Sequence, residues 1–172
     1  MLVTNRDLMV PARKNGYAIG AFNVQNLESL LAVVEAATEE KSPVIVQITP
    51  SVIKYAGLAY ISNLAKTGAK TAPVPVAVHL DHGEDFDTAV KCVGAGFSSV
   101  MIDGSHLPYE ENIKLTRQVV EYARQFDVTV EGELGVLAGI EDEVSSEVTH
   151  YTKPEEVEDV VKRTNVDSLA IS

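Results

Sequence analysis

The residues Val78 to Glu84 read Val-His-Leu-Asp-His-Gly-Glu and follow the apolar run Val74 to Ala77, so two histidines and two acids crowd the end of one expected strand. An imidazole beside a carboxylate can hold a divalent metal or move a proton at a reacting oxygen. Each residue also has a structural reading. His82 alone reads as a packing or capping histidine at a strand end, and Asp81 as a helix N-cap for the segment starting near Asp85. Glu84 reads as a helix-start acid, and His106 and His150 lie in loops without ligand-like spacing, as solvated or structural side chains.

The elements that must position this cluster alternate along the chain. A leading helix over about Asn5 to Lys14 stops at Asn15-Gly16, and a first strand runs from Ala18 to Val24. Asn26 can cap a helix whose Leu27, Leu30, Leu31 and Val34 form one apolar stripe. Val44 to Thr49 is a second strand closed by Pro50, and Ser51 to Lys70 is helical with a break near Gly57. The third strand carries the cluster, Asp85 to Val93 is a short helix, and Ser98 to Asp103 is the fourth strand. A helix opens at Pro108 with Glu110 and Glu111, and Val119, Tyr122, Ala123 and Phe126 give it an apolar face. The fifth strand spans Val128 to about Glu133, and Gly135 to Tyr151 is a long glycine- and acid-rich stretch. A helix from Pro154 with Val157, Val160 and Val161 as its stripe precedes a sixth strand, Asp167 to Ser172.

Composition narrows the possible functions. With 172 residues, 45% hydrophobic and 23% charged, the chain suits one globular domain with a substantial core. A formal net charge of -11 argues against nucleic acid or an anionic membrane as the main partner, so an anionic substrate would need a local positive group or a metal. Cys92 is the single cysteine, which excludes an internal disulfide. With no signal-peptide pattern and no apolar run of membrane-spanning length, a cytoplasmic protein is expected.

Strand and helix units at this spacing require a parallel sheet with helical crossovers, either doubly wound or closed as a barrel. Side chains alternate across a strand, and one parity collects Ala21 and Asn23, Gln47 and Thr49, His79 and Asp81, Met101 and Asp103, Glu131 and Glu133. In a barrel these polar ends converge on one mouth, whereas an open sheet would bury them under helices without partners. The expected architecture is an α/β, (β/α)8 TIM barrel over residues 1–172, represented by six of its eight strands.

Four segments carry a family resemblance: Gly-Tyr-Ala-Ile-Gly-Ala-Phe-Asn-Val at 16–24, His-Leu-Asp-His-Gly at 79–83, Ser-Val-Met-Ile-Asp-Gly-Ser at 99–105 and Glu-Gly-Glu-Leu-Gly at 131–135. In this order and spacing the chain resembles the N-terminal two-thirds of a class II, metal-dependent ketose-bisphosphate aldolase. The resemblance implies reversible cleavage of fructose or tagatose 1,6-bisphosphate to dihydroxyacetone phosphate and glyceraldehyde 3-phosphate. It implies a zinc cofactor, with a monovalent cation as a further candidate, and a dimer or tetramer. It further implies that His82 is a zinc ligand, that Asp81 exchanges the C4 hydroxyl proton, and that Asp103 and Glu133 can bind metal in an alternative position. Asn23 and Thr49 match contacts to dihydroxyacetone phosphate, with Gln47 supporting them, and Glu141, next to Asp142 and Glu143, matches a loop base. His79 reads as an orienting group behind the ligands. The family's other two zinc histidines come from strands later than the sixth. Two other readings stay open: a noncatalytic truncated barrel that self-associates through exposed sheet edges, and a metal-dependent sugar-phosphate epimerase on the same fold.

Overall fold

The computed structural model describes residues 1–137, 139–141, 144–146 and 149–172, with side chains described for all of these except 139–141 and 144–146. Helix α1 (Asn5–Asn15) leads into β1 (Gly20–Asn23), α2 (Leu27–Glu39), β2 (Val44–Ile48), α3 (Pro50–Ala56) and α4 (Leu58–Thr71). Then come β3 (Val76–Gly83), α5 (Phe86–Gly94), β4 (Ser99–Ile102), α6 (Tyr109–Ala123) and β5 (Thr129–Leu134). A small hairpin, β6 (Gly139–Glu141) with β7 (Val144–Ser146), precedes α7 (Pro154–Thr164) and β8 (Ser168–Ile171). The long stretch after β5, which carries no strand signal in the sequence, therefore contains its own antiparallel pair.

Side-chain caps set several helix starts. Asn26 and Ser29 exchange the bonds of a capping box at α2, Thr49 accepts from the backbone N–H of Val52 at α3, and Asp85 accepts from Thr88 at α5. Gly57, at φ +84°, separates α3 from α4, a backbone conformation that costs glycine little.

The main sheet has the order β1-β2-β3-β4-β5-β8, with all neighbours parallel. Its two faces differ as the alternation of side chains requires. Val44, Val46, Ile48, Val76, Val78, Leu80, Val100, Ile102, Val128 and Val130 form one core with Leu30, Ile61, Ala65, Cys92, Val119 and Val120 from the helices. Removing a side chain the size of Leu30 from water stabilises by roughly 1.5–3 kcal/mol, and it is buried against this face. The opposite parity faces the interior, where Ile45 and Ala77 pack on Leu8 of α1. Helix α1 thus closes one end of that interior, held to the far side of the sheet by Arg6 donating to Asp167 at 2.8 Å. With its crossover helices on one face and its polar groups on the other, the sheet is a half-barrel of six parallel strands with the TIM-barrel architecture, and not a doubly wound sheet. Strands β1 and β8 are its two edges, and every residue of β1 is exposed.

Candidate metal centre and active site

Strand β3 does not run regularly to its end. Leu80 is opposite Val100 but Gly83 is opposite Ile102, so three steps on β3 match two on β4. The extra residue is absorbed where His82 takes φ +47°, a left-handed conformation costly for any residue with a Cβ. The bulge has a direct consequence for chemistry. In a regular strand, neighbours Asp81 and His82 would point to opposite faces, but here both line one cleft of about 190 Å³ with Glu131 and Glu133. Gly83 makes this possible, because a Cβ there would run into the carbonyl oxygen of Met101.

His82 Nδ1 lies 3.2 Å from Asp103 Oδ2 and 3.5 Å from Glu133 Oε2. The hydrogen bond to Asp103, helped by the charges of Asp81 and Glu133 and opposed by burial, raises the imidazole pKa to about 9. Asp103 also accepts from the backbone N–H and the hydroxyl of Ser105, at 3.0 and 2.6 Å. Burial works against its charge, but the bonds from His82 and Ser105 prevail and hold it below the usual carboxylate range. One ligand atom from each of His82, Asp103 and Glu133 falls within 4.8 Å of the other two. One imidazole and two carboxylates around such a point form a donor set that suits a divalent transition metal such as zinc.

Asp81 is held from two sides. Asn23 Nδ2 donates to Oδ2 at 2.7 Å and Gln47 Nε2 donates to Oδ1 at 2.8 Å, so adjacent strands β1 and β2 fix the carboxylate in one rotamer. Neither donor can take a proton from it. Below, His79 is buried with Ser99 and Asn5 around Nδ1, and its Nε2 faces Glu131. Desolvation, then the proximity of Asp81, raises the pKa of Glu131, which also accepts from Ser168.

Residues 3–172 match the family described as fructose-bisphosphate aldolase class-II. The chain belongs to the class II fructose-bisphosphate aldolase family. It is 52% identical to a fructose-bisphosphate aldolase of Treponema pallidum, covering 99% of this chain and 54% of that protein. It is 44% identical to the D-tagatose-1,6-bisphosphate aldolase subunit GatY of Klebsiella oxytoca, over 99% of this chain and 61% of that protein. Among solved structures, the YdjI aldolase of Escherichia coli K12 superposes with a TM-score of 0.89 at 35% identity, over 100% of this chain and 60% of the other. The chain therefore spans between 54% and 61% of the length of these aldolases.

Set on this aldolase framework, inner-face residues singled out by parity do meet: Asn23, Gln47 and Asp81 form one hydrogen-bonded group, while Asp103 and Glu133 meet His82, which parity alone puts on the other face and the bulge turns inward. Thr49 stands apart from both groups, since its hydroxyl caps α3 and pairs with Ser51. The backbone of Glu141 lies in β6, but its side chain, like Asp142 and Glu143, lies outside the described residues. His106 and His150 are exposed, and the cap of α5 is Asp85, not Asp81. Sequence reasoning missed Asn5, Ser99 and Ser105. Ser105 carried a usable signal, since a serine two residues after an aspartate commonly closes a turn on it. Asn5 did not, being 74 residues from its partner.

Proposed function

We propose that this chain forms the first part of a zinc-dependent aldolase that reversibly cleaves fructose or tagatose 1,6-bisphosphate into dihydroxyacetone phosphate and glyceraldehyde 3-phosphate. The observation that carries this reading is the fixed Asp81 carboxylate beside the His82, Asp103 and Glu133 donor set. Zinc held by His82, with Asp103 and Glu133 offering a second set of donors, would supply the Lewis acidity that stabilises negative charge on the dihydroxyacetone phosphate half. Asp81 takes the proton of the C4 hydroxyl during cleavage and returns it during condensation. Two amide donors keep that carboxylate aimed, so little orientation remains to be found when substrate arrives. Asn23 and Thr49 also contact the dihydroxyacetone phosphate portion, with Gln47 supporting them, and Glu141 is the loop base that removes the carbon-bound proton.

The test is zinc content together with aldolase turnover, measured with and without a chelator, with product analysis to separate cleavage from epimerisation. Turnover lost on chelation and abolished by Asp81→Ala supports the reading; bound zinc with epimerised product and no cleavage would overturn it. A second reading rests on the exposed β1 edge: residues 1–172 by themselves form a noncatalytic half-barrel that associates with copies of itself. Absence of both zinc and turnover in a well-folded oligomer of this chain would favour it.

A further inference from the structure

His79 sits on the inner face of β3 with 1% of its surface exposed. Burial, with the nearby His82 charge, lowers its pKa to about 3, so the ring is neutral and carries one proton. That proton is on Nδ1 or on Nε2, and the two choices present opposite faces to the cleft. Nδ1 meets Ser99 Oγ at 2.8 Å and Asn5 Nδ2 at 3.4 Å. The serine hydroxyl tolerates either tautomer because it can donate or accept. The asparagine nitrogen does not, because it only donates and needs a lone pair on Nδ1. The remaining proton then belongs on Nε2, which faces Glu131 Oε2 at 3.8 Å.

We infer that Asn5, on α1 at the closed end of the barrel interior, is a positioning residue that fixes His79 as its Nε2–H tautomer and so aims a donor at Glu131. The route runs from the N-terminal helix through a buried ring to a carboxylate that shares the cleft with Asp81 and His82. It gives α1 a function beyond covering Ile45 and Ala77. The tautomer itself does not depend on which reaction the site performs. Its effect on turnover rests on the aldolase reading, and there losing the orienting contact should lower kcat by roughly 10- to 100-fold with little change in KM.

The experiment is long-range proton–nitrogen NMR on the intact protein labelled at histidine, with His79 assigned by the signal missing in His79→Gln. The expected spectrum shows an unprotonated Nδ1 and a protonated Nε2. An Nδ1–H ring in the unmodified protein would mean that the Asn5 amide is turned to accept from it, and would overturn the inference. Asn5→Asp replaces the donor by an acceptor and should move the proton to Nδ1 or make the ring doubly protonated; an unchanged ring in that folded variant would equally overturn it. If Asn5→Asp does not fold, Ser99→Ala decides the matter. That change leaves the amide in place, so the Nε2–H ring should persist, and a shift to Nδ1–H would assign control to Ser99 instead.

Discussion

His79 and His82 lie three residues apart, yet their surroundings push them in opposite directions: pKa about 3 for the buried His79 and about 9 for His82 between its carboxylates. Stability should follow with opposite signs in the metal-free protein. Below the ordinary value of 6.5, unfolded His79 binds a proton that the folded ring refuses, so stability falls as pH drops towards 3. Folded His82 keeps a proton that the unfolded chain releases above 6.5, so its contribution is complete below 6.5 and is lost as pH rises through 9. Each arm should slope by at most about 1.4 kcal/mol per pH unit. Urea unfolding of chelated protein at about pH 5, 6.5 and 8.5 should therefore be hardest at the middle value. A maximum at the alkaline end would contradict the His82 assignment. On the zinc reading, the metal would compete with the His82 proton, so its apparent affinity should rise with pH over the same alkaline window. The amides on Asp81 invite a second measurement. On the aldolase reading, Gln47→Ala should leave folding intact and lower kcat by roughly 100-fold through loss of orientation. An unaltered kcat would remove Gln47 from the machinery.

At the scale of the element, the end of β3 is where local rules were broken. Alternation places Asp81 inside and His82 outside, and the sequence offers no signal that a bulge will bring them together. Gly83 is legible only in retrospect, as the residue without a Cβ beside the Met101 carbonyl. Gly83→Ala should force β3 away from β4, with a stability loss on the order of 1–3 kcal/mol. Because the bulge sets the aim of His82, zinc binding should weaken as well. Retained zinc affinity in a folded Gly83→Ala protein would show that the ligand geometry does not depend on that backbone path. The caps behaved differently. Asn26 and Thr49 precede their helices in sequence, and each satisfies a backbone N–H only three residues away.

For the whole molecule, β1 and β8 are the edges of the main sheet. Phe22, on the outer side of β1, is 52% exposed beside an apolar groove of about 420 Å³ lined by Val33, Ala36 and Ala37. Residues 1–172 on their own should associate in a concentration-dependent way, and Phe22→Glu should shift sedimentation towards the monomer. An unmodified chain that stays monomeric at high concentration would refute this. By itself, the sequence determined the order of the six main-sheet strands and their helices, the Asn26 cap, the division of each strand into a core side and a polar side, and hence the barrel. Those features depend on side-chain period and on hydrogen bonds spanning a few residues, which are local. Only the tertiary structure decided the bulge that unites Asp81 with His82, the two amides that hold Asp81, and the contact from Asn5 to His79. Each of these joins residues on different elements, and their meeting depends on register and backbone path, to which no local pattern is sensitive.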